Sequence, residues 1–357
     1  MKNRKSLLFW GELPPTVYHG ISISNERILS TLESSFNLYK VQDNTSFGGI
    51  VWSLISFVIS LSKLVYFSCK KVSIYYLNLP MSYLGLWKVY LSVLFVKFFS
   101  PKAKVVAHLH RGDFLSFIES PRNKALVINF LNKADIVFVL SNTSKKELIN
   151  SGLICKSKVE VLHNTVSINT AKADIIKSIS DTLIKSNFYC LSNYIPTKRI
   201  HHLVKIANEI PLPSVLFNGA PSSDSYMQSL VALNINSVCH FNGVVNGAEK
   251  ESLLRECKAL VLPSLNEGMP LVILESLAQA TPVICYDIGF ISDYLGDDYP
   301  GLVKELTDNA LKDKILWMNS LSYEEYVALR KLSFNLFWDQ FDINKINRSV
   351  STLFNRL

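Results

Sequence analysis

The 357-residue chain contains no Cys-x-x-Cys pair, no Gly-x-Gly-x-x-Gly and no long run of Lys and Arg. Its six cysteines (Cys69, Cys155, Cys190, Cys239, Cys257 and Cys285) are scattered, without metal-ligand spacing, and several sit in apolar runs such as "FYCLS" and "PVICY". Reduced, buried thiols of an intracellular protein are the expectation, not a disulfide framework or a zinc site. Without a glycine fingerprint after a strand, a nicotinamide-dependent dehydrogenase is disfavoured. The scarcity of clustered cations argues against nucleic acid as a partner. The N-terminal apolar stretch, "LLFW", ends at Gly11 and Glu12; it is too short for a signal peptide and reads as a first strand. Neither repeats nor low-complexity segments occur.

Hydrophobic residues make up 48% of the chain and mean hydropathy is +0.20, so core material is ample and disorder is excluded. The length suits two domains. Charge is unevenly placed: residues 1–180 carry 22 Lys and Arg against 10 Asp and Glu, and residues 181–357 carry 15 against 19. Differences of +12 and −4 recover the net +8. A basic first half suits a phosphate-bearing substrate or an anionic membrane surface.

Short apolar runs without polar alternation mark candidate strands at 6–10, 72–77, 104–110, 136–140 and 159–163, then at 188–192, 214–218, 238–241, 259–263 and 282–286. Helical patterns lie between them, for example at 143–151, 198–208, 223–235 and 247–256. Two such series predict two Rossmann-like α/β domains with parallel sheets. The boundary is expected between Asn164 and Lys185, and beyond residue 320 the pattern is purely helical. From Asn44 to Ser62 no residue is charged, long enough to raise a transmembrane span. Yet Ser53, Ser56, Ser60 and Lys63 recur at helical spacing as one polar stripe, so a mostly buried helix against a sheet is the preferred reading. The stretch 82–100 resembles it, and both lie in the basic half, which supports peripheral attachment to anionic lipid.

The chemistry concentrates in "NEGMPLVILESLAQATPVI", residues 266–284. Pro270 suits the first turn of a helix, because its missing N–H would have no partner there. The free amides from Gly268 to Leu271 and the positive helix end make an anion site. Glu267 and Glu275 then lie on the order of 10 Å apart at about 1.5 Å per helical residue. Each carboxylate can accept two hydroxyl hydrogen bonds, which suits one sugar ring on either side of a diphosphate. Spacing alone serves equally well for an acid complementing the helix dipole and an ordinary surface glutamate.

The longer stretch "VLPSLNEGMPLVILESLAQATPVICYDIG" resembles the signature region of glycosyltransferase family 4, retaining enzymes of GT-B fold. Its pattern is Pro-Ser, Glu-Gly-x-Pro, a second Glu, then a small residue-x-Pro-Val-Ile. "ELPPTVYHGISISN", "VVAHLHRGDF", "FYCLSNYIPTKRIHHLV" and "FNGVVNGAEKESLLRECKALVLPS" extend the resemblance, which is best over 186–290 and least over 40–100. It implies a GT-B fold: an N-terminal acceptor-binding domain over 1–165, a C-terminal nucleotide-sugar domain over 166–340 facing it across a cleft, and a helix over 341–357 packing back on the first.

The resemblance also implies roles for residues. Glu275 would bind the ribose, Glu267 the donor sugar, and the backbone of Gly268, Met269, Pro270 and Leu271 the sugar and phosphate. Lys198 would pair with the diphosphate, stabilising the leaving group. Val244 and Val245 would meet the base. His110 would face the donor sugar, with His108 as competitor, and His19 and Gly20 fall in the acceptor or phosphate loop. Family members often carry Gly-Arg where Ser192-Asn193 stands, so one cation is missing; Arg199 could compensate, and Asn193 could donate to a phosphate oxygen. No Asp-x-Asp occurs, as metal-dependent transferases of the other common fold require. The implied reaction is metal-independent, without cofactor. It moves a sugar from a UDP- or GDP-linked donor to a glycan or polyprenyl-diphosphate-linked acceptor, at the inner face of a bacterial cytoplasmic membrane. The alternative is a non-catalytic nucleotide-sugar-binding protein of the same fold.

Overall fold

The computed structural model describes residues 4–17, 19–43, 50–180, 186–212 and 214–357, without the side chains at 50, 51, 53 and 54. The chain divides into two compact units, residues 1–164 with 344–357, and residues 165–343.

Unit 1 alternates strand and helix: β1 (Ser6–Gly11), α1 (Gly20–Leu32), β2 (Asn37–Gln42), α2 (Ile50–Ser68), β3 (Ile74–Asn78), α3 (Tyr83–Phe99) and β4 (Lys104–Leu109). After the short α4 (Phe114–Phe117) come α5 (Pro121–Lys133), β5 (Ile136–Val139), α6 (Asn142–Asn150) and β6 (Val159–Val161). The sheet is parallel throughout, in the order β2-β1-β3-β4-β5-β6. Alternate strand residues serve opposite cores. Leu8 and Trp10 join one with Leu64, Leu86 and Val93 from α2 and α3. Leu7 and Phe9 join another with Ile28 and Leu32 from α1. Continuous apolar strands follow from covering both faces.

Unit 2 contains α7 (Lys172–Ile179), β7 (Phe188–Leu191), α8 (Ile200–Glu209), β8 (Val215–Asn218), α9 (Asp224–Leu233), β9 (Cys239–Phe241), α10 (Gly247–Glu256) and β10 (Ala259–Leu262). It continues through α11 (Leu271–Ala278), β11 (Val283–Tyr286), α12 (Ser292–Leu295), β12 (Leu302–Val303), α13 (Asp308–Ser320) and α14 (Tyr323–Gln340). Its parallel sheet runs β12-β11-β10-β7-β8-β9. The last helix, α15 (Ile343–Asn355), returns to unit 1, where Val350 and Phe354 complete the core begun by Leu7 and Phe9.

Three sequence readings need correction. β2 and β12 were not among the candidate strands. β2 is an edge strand with only Val41 buried, and β12 has two residues, so neither leaves a continuous apolar run. The helix α2 is not mostly buried: Ser56 and Ser60 are buried with Leu64 and Ser68, while Trp52, Ile55 and Ile59 are exposed. Small serines let the helix approach its neighbours closely, and Ser60 donates to the Gln42 carbonyl at 3.3 Å. Lys63 is exposed, and the Ser53 side chain lies outside the described residues. Of the cysteines, four are buried, but Cys69 and Cys155 are exposed.

Candidate functional site

In unit 2, chain order reverses between β7 and β10: β8 and β9 extend one side of β7, and β11 and β12 lie beyond β10. Ligands of open parallel sheets bind outside the carboxyl ends of strands at such a reversal. The loops there are 192–199, leading from β7 into α8, and 263–270, leading from β10 into α11. Both are held by glycine contacts that no side chain could replace. A Cβ on Gly219 would lie 2.0 Å from the Ser192 carbonyl oxygen, and one on Gly289 would lie 2.2 Å from that of Glu267. Gly289 is also left-handed, φ +57°.

Neither glutamate is an ordinary surface residue. Lys198 Nζ donates to Glu267 Oε1 at 2.6 Å, and Lys250 Nζ donates to Glu275 Oε1 at 2.7 Å. The two carboxylate side chains are only 11% and 16% exposed. Burial pushes the Glu275 carboxyl above its usual range; Lys250 works against that shift, and neighbouring Glu251 adds to it. Glu251 is itself buried, and its carboxylate accepts from the Asn169 and Thr170 amides at 2.9 and 2.8 Å. This anchor fixes α10 and so aims Lys250 at Glu275. Pro270 sits at the N-cap of α11, one position before its expected place, and no side chain caps the helix. Met269 and Leu271 are buried, leaving backbone amides as the polar surface of this loop.

The remaining unit 2 candidates are distributed differently. Arg199, with φ +55°, turns its guanidinium to Asp308 Oδ1 at 2.5 Å, and the His202 ring engages Asp308 Oδ2 at 2.6 Å. Burial favours the neutral acid, but His202 and Arg199 together hold Asp308 below the usual carboxylate range. Arg199 is thus engaged in a protein-internal pair. Asn193 Oδ1 accepts from the Ala220 amide at 3.2 Å, bridging the loops after β7 and β8. Val245 is buried and Val244 exposed, so only Val244 offers its side chain to a ligand.

In unit 1, His19 is the N-cap of α1, which begins at Gly20. Its Nδ1 accepts from the Ser22 amide, and its Nε2 lies 2.8 Å from Glu12 Oε2. His108 is core: its Nδ1 meets the Tyr76 hydroxyl at 2.8 Å. His110 follows the end of β4, its ring 3.9 Å from that of His108, and neither of its nitrogens has a hydrogen-bond partner among the described residues. Burial first, then His19 and Arg27, push His110 down to about 3. At neutral pH it is an uncharged imidazole, able to donate one hydrogen bond and accept another.

Sequence reasoning passed over Lys250, Asp308 and Gly289. Each lies in a different element from its partner, far along the chain, so no local spacing signals it. Gly289→Ala is expected to cost about 2 kcal/mol or more in unfolding free energy, because the new Cβ meets a backbone oxygen in a left-handed conformation. Gly296→Ala is the control: φ is +87°, yet nothing lies within 4 Å. Denaturant midpoints of the two variants separate steric displacement at Glu267 from backbone strain alone.

Residues 179–331, all in unit 2, match the family model for glycosyl transferases group 1. The chain is 24% identical over 188 residues to the N-acetylgalactosamine-N,N'-diacetylbacillosaminyl-diphospho-undecaprenol 4-alpha-N-acetylgalactosaminyltransferase of Campylobacter jejuni, covering 52% of this chain and 50% of the relative. It is 24% identical over 243 residues to an O-antigen chain mannosyltransferase of Salmonella typhimurium, covering 66% and 64%. The matches therefore span about half to two thirds of these relatives' own lengths. Among solved structures, Anabaena HepE in complex with UDP-glucose superposes with a TM-score of 0.73 at 16% identity, over 98% of this chain and 100% of that one. The two parallel six-stranded sheets and this likeness give the chain a GT-B fold, and the family match in unit 2, with the relatives, supports a glycosyltransferase.

Proposed function

We propose that the protein is a retaining glycosyltransferase of family 4 that transfers a sugar from a UDP- or GDP-linked donor. The observation that carries this reading is the pair of half-buried carboxylates at the chain reversal of unit 2, each held by a lysine. Glu275 binds the ribose hydroxyls and Glu267 those of the transferred sugar. Met269 and its neighbours Gly268, Pro270 and Leu271 present the uncapped end of α11 to the diphosphate between them. Lys198 leaves Glu267 to meet the growing charge on the departing diphosphate, so the reading needs neither metal nor cofactor. The acceptor hydroxyl attacks C1 on the face from which the nucleoside diphosphate leaves. The C1–O bond to phosphate breaks, and the departing phosphate oxygen takes the hydroxyl proton. His110 acts on the transferred sugar as a neutral hydrogen-bonding group, and unit 1 binds the acceptor through the α1 end at His19 and Gly20.

The relatives named above, one acting on a diphospho-undecaprenol-linked sugar and one on O-antigen, support a glycan or polyprenyl-diphosphate-linked acceptor in bacterial surface polysaccharide synthesis. Among the described residues, no helix is long and apolar enough to cross a membrane. We accordingly place the protein peripherally, at the inner face of the cytoplasmic membrane. Thermal stabilisation by a panel of UDP- and GDP-sugars is the first test, since a ligand binding only the folded form raises Tm. The expected result is a shift with one nucleotide class that Glu275→Ala removes; a panel without any shift overturns the reading. A second reading, binding without transfer, is favoured by the engagement of Arg199 with Asp308 and of Asn193 with Ala220, which leaves Lys198 as the cation for the diphosphate. A donor that stabilises the protein, yet is neither transferred nor hydrolysed with any acceptor, would select it.

A further inference from the structure

The outward faces of α2 and α3 are apolar, and nothing in the reaction chemistry uses them. On α2, Trp52, Ile55 and Ile59 recur every three or four residues and are exposed. On α3, Leu84, Trp87, Leu94, Phe95 and Phe98 share one side at helical spacing and are exposed, with Leu84 and Phe98 73% and 77% exposed. The inner face of α2 carries Ser56, Ser60 and Ser68, buried. This is the inverse of a water-facing helix, whose polar residues point outward. The two helices lie side by side, Lys88 of α3 resting 5.5 Å over the Phe57 ring of α2. Both are crossovers between parallel strands, so both begin at the carboxyl edge of the sheet, where His19 and His110 lie.

Charge says what covers this face. Between Asp43 and Asp113 the sequence has no carboxylate and eight Lys or Arg residues. Lys70 and Lys71, at the end of α2, and Lys102, just beyond α3, are exposed. Lys70 Nζ stands 4.8 Å over the Tyr66 ring. A second copy of the chain would bring like charges together; a surface rich in phosphate esters complements them. Long lysine stems can lie along the apolar face while their ammonium groups reach headgroups, and tryptophans favour the boundary between acyl chains and water.

We propose that the α2–α3 face of unit 1 docks on an anionic lipid bilayer, with Trp52, Ile55, Ile59, Leu84, Trp87 and Phe98 entering the headgroup–acyl boundary. The proposal gives the peripheral location read above a defined surface, and it rests on that reading only for the choice of a lipid-linked acceptor. Docking by this face lays α2 and α3 along the bilayer surface, so the carboxyl edge at which both begin borders it.

The full chain is mixed with phosphatidylcholine vesicles, with or without phosphatidylglycerol, and sedimented. The expected result is binding to the anionic vesicles that weakens at least about tenfold in the Leu84→Gln, Trp87→Gln, Phe98→Gln triple variant. Lys70→Glu with Lys71→Glu should weaken it too, with less dependence on salt. All five positions are exposed, so Tm and donor binding should match the parent protein. Equal partition of parent and triple variant, or no vesicle binding by the parent, overturns the proposal. So does a dimer in lipid-free solution that the triple variant dissolves, which assigns the face to a second copy. Donor turnover with a soluble acceptor separates the two ideas: vesicle binding without turnover removes only the enzymatic reading, and turnover without vesicle binding only this one.

Discussion

Replacing Lys198 by alanine should lower kcat by about 10²–10³-fold, with a smaller change in donor KM. Lys198 ends the loop from β7, and its ammonium is held 2.6 Å from Glu267 at the chain reversal of the sheet. A cation so placed needs little reorganisation to meet a diphosphate whose negative charge grows as the glycosidic bond breaks. Arg199 is tied to Asp308 and Asn193 to the Ala220 amide, so neither is placed to take over its charge. Folding should be little affected: this partly exposed pair adds no more than about 1 kcal/mol once solvent screening is counted. Steady-state release of nucleoside diphosphate at saturating donor, with Tm as control, checks both statements. A Lys198→Ala protein turning over like the parent would remove the lysine from the chemistry.

Lys250→Ala should raise donor KM about tenfold at neutral pH and shift the acid limb of the kcat/KM profile upward. Burial raises the Glu275 carboxyl above its ordinary range, and Lys250 opposes that rise. On the proposed role of Glu275, ribose hydroxyls need the ionised acceptor, so donor binding should fade as pH falls through this raised value. Without Lys250 the fading begins at higher pH; Lys250→Arg, which keeps a charge, should restore much of the parent profile. The sign for stability is opposite. A carboxyl whose folded pKa exceeds its unfolded value destabilises the ligand-free fold when ionised. That cost is absent below the unfolded range and complete above the folded one. Superimposable acid limbs for parent and Lys250→Ala would show that the lysine does not tune Glu275.

Repetition of unbroken apolar runs made most of the sheet legible, because strands covered on both faces need no polar alternation. β2 and β12 escaped because one is an exposed edge and the other only two residues long. The helix α2 misled for an instructive reason: serine spacing reveals a stripe but not which way it faces, and here small size, not polarity, decides. At the site, Glu267, Glu275 and the α11 turn were readable as one compressed motif, and Lys198 only through the resemblance of a separate segment. Lys250 and Gly289 were not, since their importance arises only where separate strands bring distant segments within a few ångströms. The sequence favours His110 over His108, and the Tyr76 hydroxyl on His108 is the contact the structure adds to that choice.

The return of α15 to unit 1 bears on how the protein is made. Val350 and Phe354 belong to the same core as Leu7 and Phe9, so β1 cannot close that core until α15, far later in the chain, has left the ribosome. The second unit, contiguous over 165–343, faces no such delay. In nascent chains unit 2 should therefore fold first, while unit 1 still waits for α15.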